Sequence, residues 1–206
     1  IISLRNTFRR RRRLALTLFT LTMGGAIFIA VFNVRVSLNS YIEEIGSYFR
    51  ADVTLDFDEA YRISEIKQYA MQIEGVEHVE GWQFMPAEIL YPDGTVADNV
   101  NLLAPPADTT LVKPIFASGR WVRADDVRKL VISEAVIRFL PNLRVGDNVQ
   151  LKVNGREETW EVVGIFKFVG REGILAYTSF EYSAQANNLA NRSFSFRVVT
   201  DKHDRA

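Results

Sequence analysis

The chain has 206 residues, no cysteine and equal numbers of basic and acidic residues, 25 of each. Disulfides, zinc–thiolate sites and cysteine nucleophiles are therefore excluded, and the length suits one domain with an appendage or two small lobes. The balanced charge hides an asymmetry: residues 1–35 hold seven arginines and no acid, which leaves 18 basic against 25 acidic residues in the remainder, a net of −7. Opposite charge on two parts of one chain indicates two environments.

Arg5 and the run Arg9, Arg10, Arg11, Arg12 and Arg13 form a basic segment over residues 1–13, and beyond Arg13 lie 21 uncharged residues, LALTLFTLTMGGAIFIAVFNV. At about 1.5 Å per residue these span roughly 30 Å, the thickness of a bilayer hydrocarbon core. A signal peptide has a shorter apolar core and a small-residue cleavage site, and no A-x-A pattern follows here. The spacing predicts a transmembrane helix over residues 14–34. The arginines before it, against Arg35 alone after it, predict a cytoplasmic N-terminus and an extracytoplasmic main domain. An arginine cluster beside a membrane attracts anionic lipid; read as a nucleic-acid patch it would not need the apolar 21-mer, so no nucleic-acid partner is expected. Thr22, Ala26 and Ala30 repeat every four residues, Thr20 and Gly24 form a second small pair, and Gly25 follows. Small residues at this spacing let membrane helices approach closely, so further transmembrane helices, of the same protein or a dimer mate, are expected partners.

Leu38, Tyr41, Ile42, Ile45, Tyr48 and Phe49 continue the helical spacing with no proline between. The pattern predicts a stalk over residues 35–50, giving one helix of about 36 residues and roughly 54 Å from Leu14 to Phe49.

Ala51–Phe57 alternates apolar and polar residues and predicts a strand. Ile63, Ile66, Ala70 and Ile73 predict an amphipathic helix ended by Gly75. Val76–Tyr91 reads as extended chain, bent near Gly81 or Pro86. Pro92-Asp93-Gly94 is a turn, and Thr95–Leu103 returns as a strand. After Pro105-Pro106 the segment Leu111–Trp121 is less regular. Leu130–Ile132 is a short strand, with Ser133 capping a short helix that Pro141 stops. Gly146-Asp147-Asn148 turns into the strand Val149–Val153, Asn154-Gly155 is a hairpin signal, and Thr159–Phe168 returns. Ile174–Tyr177 and Phe194–Val199 are further strands. The fold class is α+β: one N-terminal transmembrane and stalk helix, then a two-lobed mixed α+β extracytoplasmic domain over residues 51–206. The lobes are expected near 51–104 plus 170–206, and 105–169.

The sequence carries no catalytic or metal-ligand motif. His78 and His203 have no metal-ligand spacing. Gly164, Gly170 and Gly173 lack the Gly-Lys-Ser/Thr ending of a phosphate loop. Ser133 lacks both a nucleophile elbow and an S-x-x-K pattern. Asp56, Asp58 and Glu59, and Asp125 and Asp126, do not match an EF-hand and read as solvated loop acids. Trp82, Phe84, Phe116 and Trp121 read as core. No cofactor is expected, and the chain is not expected to be an enzyme.

The segment LRNTFRRRRRLALTLFTLTMGGAIFIAV resembles the leading helix of the MacB/FtsX-like permease subunits of ABC transporters. A second series strengthens the likeness: Ser118-Gly119-Arg120-Trp121, then Leu130 to Ala135 with Ser133 and Glu134, then Leu143-Arg144-Val145-Gly146-Asp147, then Trp160 to Ile165 with Gly164. The resemblance covers essentially the whole chain. It implies part of a permease subunit in a bacterial plasma (inner) membrane, with the family's periplasmic core domain outside. ATP hydrolysis would come from an ABC ATPase subunit or fused domain, and dimer closure there would tilt the stalk. The motion would act on extracytoplasmic protein or lipid cargo. The family's later helices do not occur, and Ile1 as first residue is compatible with a segment of a longer protein, LRNTFRR often opening a second repeat. The competing reading is an extracytoplasmic sensor domain of a signalling receptor, which predicts a single further membrane helix.

Overall fold

The computed structural model describes residues 11–48, 50–168 and 174–201; the side chains of Arg11 and of residues 39–48 are not described. Expectations that rest on Arg5, Arg9, Arg10, Phe49, Gly170, Gly173 and His203 lie outside the described residues. Two compact units divide the chain, residues 1–45 and 46–206.

The first unit is built on helix α1, Arg11–Tyr48, an unbroken run of 38 residues. Its segment Arg12–Leu38 is long and apolar enough to cross a membrane, and none of it is buried within the chain. Two of the helix's threonine hydroxyls are satisfied by the helix itself: Thr17 donates to the Arg13 carbonyl at 2.9 Å and Thr20 to the Thr17 carbonyl at 3.0 Å. A hydroxyl in hydrocarbon needs such a bond. Phe28 and Phe32, four apart, stack at 6.3 Å.

The second unit is built around strands β1 (Val53–Arg62), β2 (Val76–Leu90), β3 (Val96–Ala104), β4 (Ile115–Gly119), β5 (Lys129–Ser133), β6 (Asn148–Val153), β7 (Arg156–Lys167), β8 (Ile174–Tyr177) and β9 (Arg192–Thr200). Helix α2 (Ile63–Ala70) follows β1, a 3-10 turn (Glu134–Arg138) follows β5, and helix α3 (Phe180–Ala186) follows β8. The sheet order is β1-β9-β2-β3-β8-β5-β7-β4, with β6 paired to both β2 and β7. The 15-residue β2 is the connector. Its first half pairs with β9 and its second half with β3 and β6. The strand path therefore runs through both expected lobes: β8 pairs with β3 of one and β5 of the other.

Periodicity explains most of these strands. In β6, Val149, Leu151 and Val153 are buried while Asn148 and Gln150 face out, as a half-covered antiparallel strand requires. The β6–β7 turn has positive φ at Asn154 (49°) and Gly155 (78°), the conformation a two-residue hairpin needs. In β7 the run Val162–Phe166 is wholly buried, because the strand lies in the sheet interior, parallel to β5 and antiparallel to β4 and β6.

Three apolar clusters fill the unit. Ala70 of α2 packs with Val79, Phe196 and Val198 in the first. Trp82, Phe166 and Tyr177 centre the second, and Met85, Leu102, Leu130, Ile132, Leu151 and Trp160 the third.

Some elements depart from the sequence expectation. The helix expected to reach Gly75 stops at Ala70, where Ile73 N–H donates to the Ala70 carbonyl at 3.0 Å and tightens the end. β2 is one strand through Gly81 and Pro86, and Gly81 admits Ile63 of α2, whose side chain a Cβ there would strike. Ser133 is not a helix cap: it precedes a 3-10 turn without a side-chain capping bond, and its buried hydroxyl accepts the Leu175 N–H at 3.2 Å. Leu111–Trp121, read as less regular, contains β4. Helix α3 was not anticipated, although Ser179 caps it by accepting the Tyr182 N–H at 3.3 Å.

Candidate functional site around the central strand

The motif residues scattered over 46 positions of sequence converge on one strand, β7. Gly119 stands opposite Gly164 in the β4–β7 pair. Gly119 has φ +83°, and a Cβ on it would strike the Val163 carbonyl and the Gly164 Cα. A Cβ on Gly164 would strike the Arg120 carbonyl. Two glycines facing each other allow the backbones to approach more closely than side chains permit. Arg120 N–H then donates to the Val163 carbonyl at 3.0 Å.

From that anchored backbone the Arg120 guanidinium reaches Asp126 with both nitrogens, at 2.7 and 2.8 Å, and donates to the Trp121 carbonyl at 2.8 Å. Asp126 is 4% exposed, so it is not the solvated loop acid its sequence context implied. It also accepts the Arg123 N–H at 2.9 Å, and Lys129 Nζ lies 3.9 Å away. Burial works against the charged Asp126 carboxylate, but the Arg120 hydrogen bonds, the Arg123 N–H and the nearby cations outweigh it and hold its pKa below the ordinary 3.8. This is a bidentate, charge-assisted pair that closes the loop between β4 and β5.

Gly146 and Asp147 also meet β7, next to the Gly119 contact. Gly146 N–H donates to the Val162 carbonyl at 2.8 Å, and Val162 N–H to the Asp147 carbonyl at 2.9 Å. Gly146 has φ +95°, and the Asp147 carboxylate accepts the Arg144 N–H at 2.8 Å to fasten the turn. Ser133 stands beside Phe166 in the β5–β7 register, while Glu134 is exposed. The motif series is thus a backbone clamp on β7; it pairs no nucleophile with a base. On α1, Thr20, Thr22, Gly24, Gly25, Ala26 and Ala30 are all exposed, and nothing within 4 Å would meet a Cβ on either glycine.

A second polar cluster has no sequence motif. Glu80, 8% exposed, accepts the Trp82 indole N–H at 3.0 Å and the Thr109 hydroxyl at 2.6 Å. Its other oxygen lies 3.0 Å from His78 Nε2, so His78, which read as a bare surface residue, has a partner. Thr109 Oγ1 accepts the Leu111 N–H at 3.2 Å, and the Leu111 carbonyl accepts the Arg50 N–H at 3.0 Å. Asp52 N–H donates to the Val198 carbonyl at 2.9 Å, and its carboxylate accepts the Thr200 N–H at 2.8 Å. Arg50 and Asp52, just beyond α1, are thereby bonded to the 105–112 segment and to β9. Nearby, Arg197 lies 5.2 Å over the Trp82 ring, and burial lowers its pKa from the ordinary arginine value. Phe84, two residues on, is half exposed.

Among the described residues no group of three His, Cys, Asp or Glu side chains could hold a metal ion. The sequence model of the family described as MacB-like periplasmic core domain matches residues 14–204. No curated protein matches the chain. Solved structures share its fold, two of them as follows. The extracellular domain of the noncanonic ABC-type transporter YknZ from Gram-positive bacteria superposes with a TM-score of 0.51 at 15% identity, covering 72% of this chain and 82% of that one. The periplasmic region of MacB from Actinobacillus actinomycetemcomitans gives a TM-score of 0.52 at 12% identity, covering 74% and 75%.

Proposed function

Since the chain belongs to the family of MacB-like periplasmic core domains, we propose that it is part of an ABC-transporter permease subunit that converts ATP hydrolysis in a partner ATPase into movement of an extracytoplasmic domain. The observation that carries this reading is the family match over residues 14–204. The unbroken helix α1, Arg11–Tyr48, supports it, because a continuous helix is a stiff element that passes displacement along its length.

The N-terminus lies in the cytoplasm of a bacterial cell and the sheet unit outside, with α1 against lipid and other transmembrane helices. The domain acts on an extracytoplasmic protein or lipid cargo. The matched family is a transporter component and not a catalytic one, and that favours this reading over a receptor sensor. The test is co-purification of the full-length protein, from its native membrane, with an ABC ATPase subunit or a fused ATPase domain whose hydrolysis it supports. A protein that purifies alone and leaves ATP turnover unchanged would sink the reading.

A further inference from the structure

Strand β1 lies at the border of the sheet. Among the described residues it pairs with β9 alone. Its outer edge therefore presents backbone N–H and C=O groups that no described strand takes up, a template for one more strand.

The two faces of that edge differ. The register sets Val53 opposite Val198 and Leu55 opposite Phe196, so these side chains share one face of the sheet. Ala70 of α2 packs with Phe196 and Val198 on that face, but the border stays uncovered: Val53 is 43% exposed and Leu55 37%. Thr54 and Asp56 alternate to the other face. The Asp56 side chain is 72% exposed; it accepts the Ser195 hydroxyl, and Arg197 comes no nearer than 4.0 Å. Beyond Asp56 the register with β9 shifts, and the exposed acids Asp58 and Glu59 follow.

The edge is thus apolar on one side and acidic on the other. Natural sheet edges are guarded by bulges and by charge, and a guard of one sign is selective. A second copy of β1 laid along this edge would bring further carboxylates beside these, and like charges on neighbouring strands are destabilising. A strand with apolar residues on one face and lysine or arginine on the other meets no such penalty and matches both sides.

We propose that β1 receives an extended segment of another protein in which apolar and basic residues alternate. Main-chain hydrogen bonds along Val53–Asp56 hold it, its apolar residues lie beside Val53 and Leu55, and its basic residues face Asp56 and Asp58.

The test uses the full chain in phosphatidylcholine nanodiscs and a fluorescent, end-blocked heptapeptide alternating lysine and valine, with binding read by anisotropy against empty nanodiscs. Successive residues of a strand turn their backbone N–H groups to opposite edges. Two N-methylated isomers, one methylated at the valines and one at the lysines, therefore separate strand pairing from plain charge attraction. The expected result is saturable binding of the parent peptide, a loss of roughly tenfold or more for the isomer whose methyls face β1, and little change for the other. Asp56→Asn and Asp58→Asn should each weaken binding by up to about fivefold, the scale of a cross-strand charge pair; the second variant serves if the first does not fold, since Asp58 is exposed. If the parent peptide does not saturate, if the two isomers bind alike, or if the folded variants bind as tightly as the parent chain, the proposal is overturned.

Discussion

Arg120 and Asp126 show what one pair of side chains contributes here. The carboxylate is buried and the guanidinium partly exposed, so the pair is screened less than a surface ion pair and depends on its two parallel bonds. A depressed carboxylate pKa adds stability that is present above the unfolded value and lost as the pH falls through the folded one. Asp126 should therefore contribute fully at neutral pH, and its contribution should fade from about pH 4 downward. Asp126→Asn should lower unfolding stability by roughly 1.5–3 kcal/mol at neutral pH and flatten the acid limb of a denaturation-midpoint profile; an unchanged acid limb would show that other carboxylates carry it. The glycines of the same clamp separate two costs. Gly164→Ala places a methyl against the Arg120 carbonyl and should cost about 1–3 kcal/mol from overpacking. Gly146→Ala meets nothing within 4 Å but keeps φ +95°, so its cost should be the left-handed backbone penalty alone, about 1–2 kcal/mol. Urea midpoints of the two variants measure the comparison.

At the scale of elements, α1 and β2 matter most. The helix runs from the membrane segment to Tyr48 with no proline in it. Under the proposed function its stiffness is what transmits movement. A short Gly-Ser insertion after Tyr48 should leave folding and basal ATP turnover intact while abolishing the response of the extracytoplasmic domain, read by site-directed spin-label distances with and without ATP. An insertion that leaves those distances responding to ATP would show that rigidity at the junction is dispensable. Strand β2 acts differently. Its length lets one element join the α2-covered strands β1 and β9 to β3 and β6, so it couples the two parts of the sheet without a hinge.

At the scale of the whole molecule, the cysteine-free sequence makes membrane orientation directly measurable. Asp58→Cys, at an exposed position of β1, should react with a membrane-impermeant maleimide on intact cells. Ser3→Cys should react only after permeabilisation; the reverse pattern would invert the topology. Much of this molecule was legible by eye because its cause is local. A charge-free 21-mer, period-2 alternation in β6, and Asn154-Gly155 each act over a few neighbouring residues, and each led to an element that is present. The glycines, Ser133 and Asp147 could be picked out as a series, but not their meeting on β7, which depends on pairing between residues far apart in the chain. The error at Ser133 has the same origin: a serine before a turn looks like a cap, and only the arrival of β8 supplies the Leu175 N–H that its hydroxyl accepts. Asp126 reads as a solvated acid until Arg120 is folded over it. The sequence by itself determined the apolar helix, the turns and most of the strands, since periodicity and backbone preference are properties of short segments. Only the tertiary structure decided which polar groups are buried and with whom they pair, since burial and hydrogen-bond partners are created by contacts the chain makes across its length.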